Sequence, residues 1–158
     1  MVFSYVSALK PANMHLPRYK YKINESFSDY EFTSEGPKGV VRKIVRFSDI
    51  DTNVYNLAFG DLDERTGDIN DIIVTNNNDS HKVLATVAMI VYDFTAQYLK
   101  AVVVAKGSTH SRTRLYRMGI TNHWQVISID FEVFGLLNDE WEPFEMRRDY
   151  EAFLIYRK

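Results

Sequence analysis

The stretch NNNDSHKVLATVAMIVYDFTAQY, residues 76–98, followed by KAVVVA at 100–105, decides the fold. Asn76 to Ser80 form a polar turn cluster with two candidate N-caps. From His81 to Tyr98 the apolar residues recur at helical spacing. Val83, Val87, Ile90 and Phe94 make one stripe, and Leu84, Ala88, Val91 and Tyr98 widen it. Only Lys82, Thr86, Asp93 and Gln97 face away. So wide an apolar face predicts a helix lying largely covered against a sheet. The run Lys100–Ala105 is almost wholly apolar, as a central strand buried on both faces requires.

Strand patterns lie on both sides of this unit. Upstream, Arg18–Ile23, Asp29–Ser34, Val40–Phe47, Asn53–Gly60 and Ile69–Thr75 read as strands, with Glu35-Gly36-Pro37-Lys38-Gly39 as a hairpin turn. Downstream, Gly107 ends the central strand and Ser108 or Thr109 caps a second helix, about His110 to Met118. Trp124–Phe134 then alternates: Ile127, Ile129, Phe131 and Val133 point one way, Ser128, Asp130 and Glu132 the other. Residues 141–146 and 150–157 supply closing strands. The expected architecture is α+β: a mixed, mainly antiparallel sheet of about six to eight strands with two helices packed on one face. Residues 1–16 lack periodicity and contain Pro11 and a second methionine, Met14; they read as a flexible arm or as a start placed too early. Residues 17–158 read as a single domain.

Composition narrows the function classes. Nineteen cationic against 21 acidic side chains give a net charge of −2, so binding to nucleic acid or membrane must come from a local patch. Absence of cysteine excludes disulfides, thiolate zinc sites and a cysteine nucleophile. The longest apolar-dominated stretch, Val83–Tyr92, is too short to span a bilayer, and the N-terminal residues lack a basic n-region. The expected location is the cytoplasm.

The segment suited to chemistry is Lys106-Gly107-Ser108-Thr109 and the helix behind it. A helix N-terminus presents unpaired N–H groups and the positive end of the dipole. Gly107 lets a ligand approach, Ser108 and Thr109 add hydroxyls, and Lys106, Arg112, Arg114 and Arg117 add cations with no acid among them. The expected ligand-binding set is Lys106, Gly107, Ser108, Thr109, Arg112, Arg114 and Tyr116, for a phosphate, a nucleotide or an RNA backbone. The bland alternative is ordinary capping beneath a surface helix whose arginines pair with nearby acids. P-loop and dinucleotide fingerprints are absent.

Other chemistry finds less support. Asp61, Asp63, Glu64, Asp68 and Asp71 do not follow an EF-hand pattern and read as a solvated hairpin tip, so no metal is expected. Val104 stands where a metal-dependent nuclease would need an acid. His15, His81, His110 and His123 show no ligand spacing. His110, Arg112 and Tyr116 would together suit a metal-free ribonuclease. No cofactor is implied.

The stretches Tyr55–Asp61 (YNLAFGD), Asn77–Val87 (NNDSHKVLATV), Lys106–Ile120 (KGSTHSRTRLYRMGI) and Tyr150–Leu154 resemble a family of small Bacteroidetes proteins classed as a domain of unknown function. The resemblance runs from about Pro17 to Lys158. It implies a bacterial source and no activity, and in similar sequences a small residue is expected where His110 stands. Three functions remain open at this point: a binding module for a phosphate-bearing ligand or RNA, a protein-interaction component such as one half of a toxin–antitoxin-like pair docking an acidic partner, and the metal-free ribonuclease.

Overall fold

A computed structural model describes residues 17–70 and 75–158. Its strands are β1 (Tyr21–Ile23), β2 (Asp29–Gly36), β3 (Gly39–Asp51), β4 (Val54–Asp61), β5 (Val102–Ala105), β6 (Phe131–Leu137), β7 (Glu140–Pro143) and β8 (Ala152–Arg157). They form one sheet in the order β1-β2-β3-β4-β5-β8-β6-β7. All neighbours are antiparallel except β4 and β5, which are parallel and are joined through the helix α1 (Ser80–Gln97). Two further helices, α2 (His110–Asn122) and α3 (Trp124–Asp130), lie between β5 and β6. The expected α+β class and mixed, mainly antiparallel sheet are present. The arm expected at residues 1–16 lies outside the described residues, as do residues 71–74 of the fifth expected strand. Of that strand, Ile69 makes an isolated bridge with Leu62.

Paired residues share a face of a sheet, so the register identifies the buried one. Tyr30, Val45 and Phe59 make one row; Phe47, Leu57, Ala105 and Phe153 make another; Tyr55, Val103, Ile155 and Val133 a third. Nearly all are buried, and α1 lies on them, with Phe94 stacked on Phe47 at 3.8 Å between ring centroids. On the other face Val102, Val104, Leu154, Tyr156 and Phe134 are only half-buried. The central strand is therefore sealed on one side, where its apolar run predicts two.

Two local expectations are corrected. Thr86 and Asp93, expected on the outer side of α1, are buried. The segment entering β1 covers them: the backbone N–H of Tyr19 donates to Thr86 Oγ1 at 2.9 Å, and the Tyr21 hydroxyl donates to Asp93 Oδ2. The alternation from Trp124 to Phe134 does not make one strand. Residues 124–130 form α3, and the strand begins at Phe131. The Tyr92 hydroxyl donates to Asp130 Oδ2 at 3.0 Å, and Trp124 packs on Phe144 at 4.9 Å, fixing α3 at both ends.

Candidate functional site

The start of α2 engages the side chains of its own turn. Thr109 is the N-cap, and its hydroxyl accepts from the Arg112 N–H at 3.2 Å. The Gly107 N–H donates to Thr113 Oγ1 at 3.1 Å. A Cβ at Gly107 would stand 2.3 Å from the Thr113 nitrogen, so glycine serves the close approach of its own helix. Arg112 is 4% exposed; its Nη1 donates to Ser108 Oγ at 3.0 Å and its Nη2 to the carbonyl of Asn70. Tyr116 is buried, and desolvation pushes its hydroxyl up to about 12. Lys106, Ser108, Thr109 and Arg114 are exposed, and Gly107 is half-buried.

The seven expected residues are thus split between surface and core. Arg112 is a strut between α2 and Asn70, which corrects its reading as a surface charge. The ribonuclease set is divided in the same way: His110 is exposed beside Asp149 at 3.9 Å, while Arg112 and Tyr116 point inward.

The start of α1 is arranged differently. Asp79 occupies the N-cap position, yet its side chain makes no capping bond. Its Oδ2 instead accepts from the Tyr19 hydroxyl and from Ser34 Oγ, each at 2.6 Å. Asn77, fully buried, pins the preceding turn to the β2–β3 hairpin through Ser34 Oγ, the Gly39 carbonyl and the Lys38 N–H. The turn cluster at 76–80 is therefore held rigidly while the first-turn N–H groups keep no side-chain partner. A groove of roughly 550 Å³ runs past them, lined by Asn78, Ser80, His81, Lys82, Asn122 and His123 among others. No acid lies in the first turn of α1, and Lys82 Nζ sits 4.2 Å over the Tyr19 ring.

His123, at the junction of α2 and α3, is 4% exposed. Its Nδ1 lies 2.8 Å from the Gly119 carbonyl. A carbonyl only accepts, so Nδ1 carries the hydrogen, and the neutral ring keeps its lone pair on Nε2. Nε2 has no partner among the described residues, and the ring lines the groove.

Beside the groove, and sharing Asp79 and Ser80 with it, lies a pocket of roughly 210 Å³ over Lys43. Lys43 is 1% exposed; its Nζ donates to Asp61 Oδ1 at 2.6 Å and to the Thr75 carbonyl at 2.8 Å. Asp61 Oδ2 accepts from the N–H and the hydroxyl of Thr75, at 3.0 and 2.6 Å. Asp61 is thereby corrected from a solvated hairpin tip to half of a buried ion pair. Asp68 pairs with Arg46 at 3.4 Å, and no group of three or more ligating side chains that could hold a metal occurs among the described residues.

The sequence does carry a signal for the burial of Lys43. It stands two and four residues before the inward-facing Val45 and Phe47, so period two turns it inward, where an ammonium requires an acid.

No helix among the described residues is long and apolar enough to cross a membrane. A family model described as "Family of unknown function (DUF6934)" matches residues 15–158. No curated protein and no solved structure matches the chain.

Proposed function

We propose, for a chain that belongs to the family of unknown function DUF6934, that it is a binding module for a small phosphate-bearing ligand seated at the start of α1. The observation that carries this reading is the buried His123 imidazole, held by Gly119 with its Nε2 left for the groove. Four features favour an anion there: first-turn N–H groups without a side-chain cap, the positive end of an 18-residue helix, the Lys82 ammonium and the His81 ring. Nε2 adds directionality, because it accepts from a protonated phosphate oxygen or, once protonated, donates to an ionised one. The Asp79 carboxylate opposes an anion, and its bonds to Tyr19 and Ser34 hold one of its oxygens away from the helix N–H groups.

The expected turn at Gly107–Thr109 draws less support, since both of its hydroxyls and the Gly107 N–H are engaged by Arg112 and Thr113 of α2. An arginine helix docking an acidic partner is weakened likewise, because Arg112 is buried and Arg117 pairs with Asp149 at 2.9 Å.

His123→Asn keeps a donor for the Gly119 carbonyl and removes Nε2. Calorimetric titration with inorganic phosphate should show affinity falling by about tenfold or more in that variant, equivalent to one good charge-assisted hydrogen bond. The melting temperature should stay close to that of the wild type. Phosphate that binds both proteins equally, or neither, removes the site.

A further inference from the structure

The pocket over Lys43 opens beside the groove and has a different character. An ammonium has three N–H donors, and Lys43 directs two of them to Asp61 and the Thr75 carbonyl. The third has no oxygen or nitrogen acceptor among the described residues: beyond those two bonds the ammonium has the Phe59 ring, its centroid 6.0 Å from Nζ, and the side chain is wholly buried and forms part of the pocket wall. A ring face at that distance is a weak partner for a buried N–H, so an oxygen acceptor placed there gains more than it would at the surface. Asp61 already neutralises the ammonium. The pocket therefore favours a neutral acceptor, such as a carbonyl oxygen, over a second anion. Around it stand Phe59, Val83, Leu84, Leu115 and Met118, which offer apolar walls, and Asn76 adds an amide at the rim. Flat, apolar-faced bodies edged with carbonyl oxygens are the chemistry of a nucleobase.

From these features we infer that the ligand is a nucleoside monophosphate, its carbonyl-bearing base in the Lys43 pocket and its phosphate on the first turn of α1. Asp79 and Ser80 border both compartments, so one small molecule bridges them across that turn. The inference rests on the phosphate site proposed above and adds the group attached to the phosphate.

The test titrates the full chain with inorganic phosphate, uridine and uridine monophosphate. The nucleotide should bind at least about tenfold tighter than phosphate, the gain expected when a second compartment is occupied by the same molecule. Met118 lies at the pocket mouth, 37% exposed, so Met118→Trp should fill the pocket without disturbing the core. It should erase the gain of the nucleotide and leave phosphate affinity unchanged. In the wild-type protein the Met118 methyl resonance should shift with uridine monophosphate and stay still with phosphate, a readout independent of any variant. If phosphate binds and the nucleotide binds no tighter, or the Met118 methyl does not move, the base pocket is rejected and the phosphate site stands. If neither phosphate nor nucleotide binds, the phosphate site itself is rejected, and this inference with it.

Discussion

Arg112 lies on α2 in line with Tyr116 and Ile120, at four-residue spacing, and all three are buried. A guanidinium on that stripe must find acceptors inside, and it finds the Ser108 hydroxyl and the Asn70 carbonyl. Arg112→Ala should therefore lower the unfolding free energy by about 2–4 kcal/mol, through the lost packing and the acceptors left without donors. Treated as an exposed surface charge, the same change would cost at most about 1 kcal/mol. Arg112→Lys should recover only part of the loss, since one ammonium cannot reproduce the planar fork. Urea unfolding of the three proteins decides it, and an alanine variant as stable as the wild type would remove the strut. The inward direction of Arg112 was legible from its spacing to Tyr116 and Ile120. Its partner was not, because Asn70 is 42 residues away and only the tertiary fold brings it near. Lys43 teaches the same lesson: strand period gave its direction, and nothing local pointed to Asp61 as its counter-ion.

At the scale of elements, the long apolar face of α1 was readable because burial and helical period agree over 18 residues. Residues 124–130 misled because the spacing of Ile127, Ile129, Phe131 and Val133 satisfies period two, while a seven-residue helix is too short for its own period to compete. Tertiary contacts decide instead: Trp124 packs on Phe144, and the Tyr92 hydroxyl holds Asp130. The two readings separate at a pair of isoleucines. In a single strand both would face inward; in α3 Ile127 is 8% exposed and Ile129 is 67% exposed. Ile127→Ala should cost about 2–4 kcal/mol, and Ile129→Ala should stay within about 0.5 kcal/mol. Equal losses at both positions, measured by denaturant unfolding, would restore the strand.

For the molecule as a whole, the high aromatic content has a consequence in alkali. Of the ten tyrosines, Tyr21, Tyr30, Tyr92 and Tyr116 have hydroxyls that the fold holds strongly protonated. Desolvation is the leading cause in each. Neighbouring carboxylates add to it, Asp93 at Tyr21 and Tyr30 and Asp130 at Tyr92. The Tyr30 hydroxyl, deep beneath the sheet, also has no hydrogen-bond partner among the described residues. A phenol raised in the folded state keeps a proton that the unfolded chain releases near pH 10, so above that point the unfolded state binds fewer protons and stability falls as pH rises. For Tyr116 the stabilisation is complete below the ordinary value of 10.0 and is lost as pH climbs toward about 12. The other three act in the same direction over a higher range. The urea midpoint should hold nearly constant up to about pH 9 and then fall steeply, with phenolate absorbance of the buried tyrosines appearing together with unfolding. Tyr116→Phe removes one such proton and should flatten the fall between about pH 10 and 12. If all ten tyrosines instead ionise together near the ordinary value while the protein stays folded, the inner hydroxyls are open to water and this account of the core is wrong.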